Sequence, residues 1–235
     1  MNGKLYLIPV PIHPESVTAS SEHLKSILQR LRCFIVEDIR TAQQLLKKIV
    51  PGVSFAAHEF LVFNEHSQAA QAKEIIEKIV GKEAGLLSEA GAPCVADPGS
   101  EIVALAHKQG IDVIPLVGPS SILLALMASG LNGQRFVFHG YLPKDQEARG
   151  QKLRAMEQIS AREDQTQIFM ETPYRNQKLL EEIFATCHPK TLLCLAADLT
   201  APTQFIKTMP IERWRKEKSV NVDNRPALFL LQKIK

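Results

Sequence analysis

Gly85-Leu86-Leu87-Ser88-Glu89-Ala90-Gly91-Ala92-Pro93-Cys94-Val95-Ala96-Asp97-Pro98-Gly99 runs on through SEIVALAHKQGI to Asp112-Val113-Ile114-Pro115-Leu116. Gly85–Leu87 reads as a buried strand, Pro98–Lys108 as a helix and Asp112–Leu116 as a second strand. Two strands joined through a helix lie parallel, because the chain must cross over to re-enter the sheet from the same end. The alternation repeats upstream. Strands are expected at Leu5–Val10, Cys33–Val36 and Val53–Ala56, and helices at Glu22–Leu31, Thr41–Ile49 and Gln68–Val80. In the last of these, Ala69, Ala72, Ile75, Ile76, Ile79 and Val80 form one apolar stripe. The pattern predicts an α/β fold with a mostly parallel N-terminal sheet covered by helices on both faces.

Beyond Leu116 the chain changes character. Gly118-Pro119 marks a turn, and Ser120 can cap a helix over Ile122–Ser129. Strands are then expected at Phe136–Phe138, Gln167–Met170, Leu192–Ala196, Gln204–Thr208 and Ala227–Leu231, with helices near Gln151–Ile159 and Gln177–Ala185. Later strands follow one another with little helix between them, which predicts a mixed C-terminal sheet. The boundary falls near residue 117, giving an N-terminal α/β domain over 1–117 and a C-terminal one over 118–235.

The 235 residues are 45% hydrophobic and 23% charged, an ordinary globular composition that excludes disordered, collagen-like and coiled-coil chains. A net charge of +3 is compatible with RNA but does not demand it. Cys33, Cys94, Cys187 and Cys194 form no CxxC pair, which points to a reducing, cytoplasmic setting rather than a disulfide scaffold. The spacing of Cys187, His188 and Cys194 matches no standard zinc pattern, so no metal is expected. The opening MNGKLYLIPV is too short an apolar stretch for a signal peptide. Val113–Gln134 carries no charge, but its prolines and glycines leave no run of about 20 apolar residues, so no membrane span is expected.

In an open α/β sheet, ligands bind beyond the carboxyl ends of the strands. Standing there are PVPIHP (9–14), Glu37-Asp38-Ile39-Arg40, Asn64-Glu65-His66-Ser67, EAGAPCVADPG (89–99), Gly118-Pro119-Ser120-Ser121 and Met170-Glu171-Thr172-Pro173-Tyr174-Arg175. No GxGxxG loop is present to cradle a dinucleotide pyrophosphate. The bland alternatives stand beside these. Glu37, Asp38 and Arg40 also suit a helix cap with surface pairing, and His66 is more often an exposed or capping residue than a catalyst. EAGAPCVADPG is harder to set aside, because its Gly, Ala and Pro density leaves backbone accessible to a flat ligand. Trp214 among Arg213, Arg215, Lys216 and Lys218 mixes stacking with cations, but Glu212 and Glu217 favour a solvated helix face.

LYLIPVPI, VEDIRTAQQLL, FNEHS, LLSEAGAPCVADPGSEIV, VIPLVGPSSILLALMASGL, RFVFHGYLP and IFMETPYRN occur in that order. Together they resemble the signature blocks of the tetrapyrrole methylase superfamily, and within it the RsmI-like branch of small-subunit ribosomal RNA 2′-O-methyltransferases. The resemblance runs from about Leu5 to Arg175 and continues loosely through LAADLTAPTQF. It implies two α/β domains, S-adenosylmethionine held in the cleft between them, a homodimer, and the small ribosomal subunit or its RNA as partner. Carried over by position, the cofactor contacts are Pro11 and Ile12, Ala92, Pro93 and Val95, Ser120 and Ser121, and Met170 and Glu171, many of them through backbone. Pro226–Leu228 would close the adenine side.

Some positions depart from the branch. It reads TPIGNLED where this chain reads VPIHPESV, DAGTPLISDPG where this chain reads EAGAPCVADPG, and EAPHR where this chain reads ETPYR. The chain also closes at Lys235, earlier than the branch usually does. Methyl transfer from a sulfonium is an in-line displacement in which positioning dominates, and a ribose hydroxyl needs a base to take its proton. Glu37, Asp38, Glu65, His66 and Glu171 are the candidate bases, and Arg40 and Arg175 the cations for an RNA phosphate or for keeping a carboxylate ionised. The catalytic set expected is therefore Glu37, Asp38, Arg40, Glu65 and Arg175. Two alternatives remain open at this level: methyl transfer to a tetrapyrrole or other small molecule, and a non-catalytic RNA-binding or cofactor-sensing relative.

Overall fold

Alternate side chains of β1 (Lys4–Ile8) enter different cores: Leu5 and Leu7 pack on one side of the sheet, Tyr6 and Ile8 on the other. β2 (Cys33–Val36) divides in the same way, with Cys33 and Ile35 opposite Phe34 and Val36. Burial on both faces is what an inner strand of a parallel sheet requires. The computed structural model describes residues 3–13, 15, 16, 21–217 and 219–233. With β3 (Glu59–Val62), β4 (Glu83–Leu87) and β5 (Asp112–Pro115), these strands form one sheet in the order β3-β2-β4-β1-β5, every pair parallel. α1 (Glu22–Arg30) and α2 (Ile39–Ile49) cover one face through Leu24, Ile27, Leu28 and Leu46. α3 (Ala69–Ile79) and α4 (Gly99–Lys108) cover the other through Ile75, Ile76, Ile79 and Ile102.

The third strand lies later than the sequence suggests. Val53–Ala56 is irregular, and the strand forms at Glu59–Val62. Phe55 is fully buried as a single plug, its ring 5.9 Å from Phe34 and 5.0 Å from His58. Its apolar character serves packing rather than pairing. The true β3 is an edge strand that opens on an exposed glutamate, so its local pattern is weak.

The chain divides into two compact units, Met1–Ser120 and Ser121–Lys235. The second begins with α5 (Ser121–Ser129) and continues through β6 (Phe136–Tyr141), α6 (Gln146–Glu163) and β7 (Thr166–Met170). A 3₁₀ turn (Pro173–Arg175) leads into α7 (Asn176–Thr186), β8 (Leu192–Ala197), β9 (Phe205–Pro210), α8 (Ile211–Trp214) and β10 (Ala227–Gln232). The sheet order is β6-β7-β10-β8-β9, with β6 and β7 parallel and the other pairs antiparallel, so this sheet is mixed. α6 and α7 close one face through Leu153, Met156, Leu180 and Ile183, and α5 lies against β8, β9 and β10. α6 is longer than the Gln151–Ile159 helix expected. The Asp145 carboxylate caps it by accepting from Ala148 N at 2.8 Å, and a Cβ at Gly150 would meet nothing closer than the Arg154 guanidinium at 3.7 Å. Among the described residues, no helix is long and apolar enough to cross a membrane.

Candidate functional site

Three turns meet beyond the carboxyl ends of β1, β4 and β5. Val10 bridges to Gly91, its N–H donating to the Gly91 carbonyl at 2.9 Å and its carbonyl accepting from Gly91 N at 3.2 Å. A Cβ built on Gly118 would lie 2.2 Å from Pro9 Cβ, so the segment after β5 runs directly over the first turn and only glycine fits. Gly91 needs glycine for a different reason, its φ of +74°, and a Cβ there would sit 3.7 Å from Pro119 O and 3.9 Å from Ile12 Cγ1.

The 89–99 loop is built around one carboxylate. Asp97 accepts from Cys94 N through one oxygen and from Gly99 N through the other, both at 2.7 Å. These bonds hold Cys94 and Ala96 at φ of +68° and +65°, which non-glycine residues rarely adopt. Burial pushes the Asp97 carboxyl up despite the N–H groups that pull it down, and pushes the Cys94 thiol to about 12. The thiol is therefore no nucleophile at neutral pH. Ala92 is half-buried, Pro93 is buried and Val95 is exposed, so the loop offers backbone and small apolar surface.

Of the expected polar residues, Glu37 reaches this loop: its carboxylate accepts from Glu89 N at 3.2 Å. Asp38 caps α2, accepting from Thr41 N at 2.8 Å, and that bond holds its carboxyl below the usual range. Arg40 lies exposed in the first turn of α2, and Glu65 and His66 are exposed at the end of β3 with 3.7 Å between Oε1 and Nε2. Asn64, which the sequence did not single out, ties the β2 and β3 ends by donating from Nδ2 to Glu37 O at 3.4 Å. Asp97 likewise lies outside the expected catalytic and cofactor-binding set, although an Asp followed by Pro-Gly at a helix start is a local signal for a turn-organising carboxylate.

Burial first, then the charges of Asp97, Glu89 and Glu65, raise the Glu37 carboxyl above its ordinary value, against the Glu89 N–H. A raised carboxyl in the folded state means the native form holds its proton longer than the unfolded one. Stability from this group is full below the unfolded carboxyl's value and is lost as pH rises through the native one. Glu37→Gln keeps the acceptor for Glu89 N and removes the charge. Its melting temperature is expected to match wild type near pH 4 and to exceed it at pH 7; a constant difference at both pH values would contradict the assignment.

In the second unit, β7 ends at a different cluster. Glu171, whose side chain is 1% exposed, accepts from Thr172 N at 2.7 Å and from Arg175 Nη2 at 2.6 Å. Arg175 is thus the counter-charge of this buried carboxylate. Met170 is partly buried at the end of β7, Ser120 closes the first unit, and Ser121 opens α5. Trp214 is no stacking surface: it is 1% exposed and its Nε1 donates to Leu193 O at 2.9 Å. The third proline of the first turn, Pro14, and Lys218 lie outside the described residues. The four cysteines are all free.

A family model described as tetrapyrrole (corrin/porphyrin) methylases matches residues 4–214. The chain is 31% identical over 209 residues to the ribosomal RNA small subunit methyltransferase I of Vibrio cholerae, covering 88% of this chain and 68% of that protein. It is 31% identical over 220 residues to the protein of the same name from Escherichia coli O157:H7, covering 92% and 73%. The crystal structure of uroporphyrin-III C-methyltransferase from Thermus thermophilus complexed with S-adenosyl homocysteine superposes with a TM-score of 0.55 at 16% identity, over 98% of each chain.

Proposed function

The chain belongs to the tetrapyrrole methylase family, and from that premise we propose that it methylates a ribose 2′-hydroxyl of small-subunit ribosomal RNA with S-adenosylmethionine as donor. The observation that carries the reading is the convergence of the Pro9–Ile12, Gly91–Val95 and Gly118–Pro119 turns on one cradle of small residues. That cradle fits an adenosyl group: its residues are small, and half-buried Ile12 and exposed Val95 supply apolar surface. We assign Pro11, Ile12, Ala92, Pro93, Val95 and Ser120 of the first unit to the cofactor. When bound, S-adenosylmethionine supplies an electrophilic methyl group.

The chain's own part is to orient the acceptor, exclude water and take a proton. Asp38 is spent on its helix cap, Glu171 on Arg175 and Asp97 on two amides of its own loop, which leaves Glu37 as the carboxylate beside the loop with a raised affinity for protons. We assign the general-base role to Glu37, with Arg40 and Glu65 bordering it on the RNA side. Glu37→Gln should then lower kcat with little change in cofactor affinity. The decisive experiment gives the purified chain labelled S-adenosylmethionine with small ribosomal subunits, then total RNA, then tetrapyrroles. Alkali-resistant label at one ribose of the small subunit is the expected result; label only in a tetrapyrrole, or none, would sink the reading.

The four free thiols accord with a cytoplasmic setting. Leu123 and Met127 stand one helical turn apart on α5, 51% and 79% exposed, and this apolar face supports a homodimer. Light scattering at micromolar concentration is expected to give a dimer for wild type and a monomer for Met127→Glu; a monomeric wild type would remove the assignment.

A further inference from the structure

We infer that Tyr174 and Arg175 form a nucleotide platform on the second unit, with an RNA base stacked on the Tyr174 ring and an adjoining phosphate on the Arg175 guanidinium. This deepens the RNA reading above and rests on it. Tyr174 is 67% exposed, and its ring carries the Arg175 guanidinium carbon 5.5 Å from its centroid. The arginine is immobilised from below. Its Nε donates to Thr172 Oγ1 at 3.0 Å and its Nη2 to Glu171 at 2.6 Å, while Nη1 makes no hydrogen bond within the described residues. A guanidinium already fixed in place loses little conformational freedom when its free edge meets a phosphate. Both residues at which ETPYR departs from EAPHR, Thr172 and Tyr174, are contacts to this arginine.

The turn is anchored to the loop before β10. Asn224 N donates to Pro173 O at 3.1 Å, Asn176 Nδ2 to Arg225 O at 2.6 Å, and Val222 N to Gln177 Oε1 at 3.2 Å. Between turn and loop lies an open groove of about 740 Å³ bordered by Tyr174, Lys178, Glu181, Val220, Asn221 and Asp223. Its volume is that of a small-molecule site, roughly 300–1,000 Å³. Charge sets the orientation of the occupant: Glu181 and Asp223 outweigh Lys178 and disfavour a phosphate in the groove, whereas amide and carboxylate acceptors there suit the amino edge of a base. The base therefore belongs in the groove on Tyr174 and the phosphate on Arg175. An unstacked single-stranded nucleotide is the RNA element that such an aromatic ring captures.

The test uses the full chain, a fluorescently labelled single-stranded oligoribonucleotide of mixed sequence, and small ribosomal subunits with labelled S-adenosylmethionine. Tyr174→Ala should weaken oligonucleotide binding about tenfold to a hundredfold and raise KM for subunits similarly, with kcat and cofactor affinity little changed. Tyr174→Phe should recover most of the loss. Thr172→Ala should cause a smaller loss that disappears in an Arg175→Gln background, as expected of a residue that acts by positioning the arginine. Unchanged oligonucleotide binding in Tyr174→Ala overturns the platform, and so does a loss seen with subunits alone, which would point to a ribosomal protein. A wild type that methylates subunits while Tyr174→Ala does so with unchanged KM removes the platform and leaves the RNA reading intact. A wild type that binds cofactor but neither methylates subunits nor binds the oligonucleotide removes both.

Discussion

Arginine in place of Ala92 is expected to weaken S-adenosylmethionine binding by at least about a hundredfold while moving the melting temperature by no more than about 2 °C. The two halves of that expectation have separate causes. Ala92 lies half-buried between Gly91, which meets the first turn and the Pro119 carbonyl, and the Asp97-organised bend. A long cationic side chain there occupies the cradle and opposes a sulfonium of the same charge. The fold should tolerate it, because Ala92 is absent from the positive-φ residues of this loop, Gly91, Cys94 and Ala96. The same substitution at any of those three would confuse loop strain with ligand exclusion. Calorimetry and thermal unfolding on one preparation check both halves, and full affinity in the variant would move the cofactor away from the loop.

Glu182→Ala is expected to cost about 3–5 kcal/mol, a large part of the roughly 5–15 kcal/mol that holds a domain folded. Arg149 on α6 is 5% exposed, and both Glu182 oxygens of α7 accept from its guanidinium. Its Nη1 also donates to Pro143 O at 3.0 Å and Lys144 O at 2.8 Å, fixing the chain after β6. Removing the carboxylate strands a buried cation with two carbonyls and no hydrogen-bonded counter-charge, leaving only the weaker influence of Glu171 and Asp145. Arg149→Met with Glu182→Leu should lose less than the single change, because no unpaired charge remains. Urea unfolding reads both variants; a loss below about 1 kcal/mol for Glu182→Ala would mean the pair is solvated after all.

Much of the architecture is visible along the chain. Cys33–Val36 and Leu86–Leu87 are short apolar runs because both faces of a parallel strand are covered, and Gln68–Val80 shows its stripe because one face of α3 meets the sheet. The failure at Val53–Ala56 is instructive. A run with one large apolar residue looks the same whether it pairs as a strand or plugs a core, and Phe55 plugs. The Trp214 segment differs in the same sense: its neighbours along the chain favour a solvated helix face, while the indole is held inside by a carbonyl on β8.

What the sequence determined by itself was the α/β alternation, the places where strands end, and the small-residue turns that gather there. All of these depend on side-chain periodicity and on the conformational limits of glycine and proline, which act over a few residues. What only the tertiary structure decided was the state of each charged group. Glu37 and Glu89 are separated by 52 positions, and Arg149 and Glu182 by 33, yet each pair is in direct contact. Asp38, Glu37 and Glu171 look alike in sequence, but one caps a helix, one is half-buried at a loop and one is locked to an arginine. A carboxylate's proton affinity is set by the dielectric and the charges within a few ångströms of it, and the fold alone decides which distant residues those are.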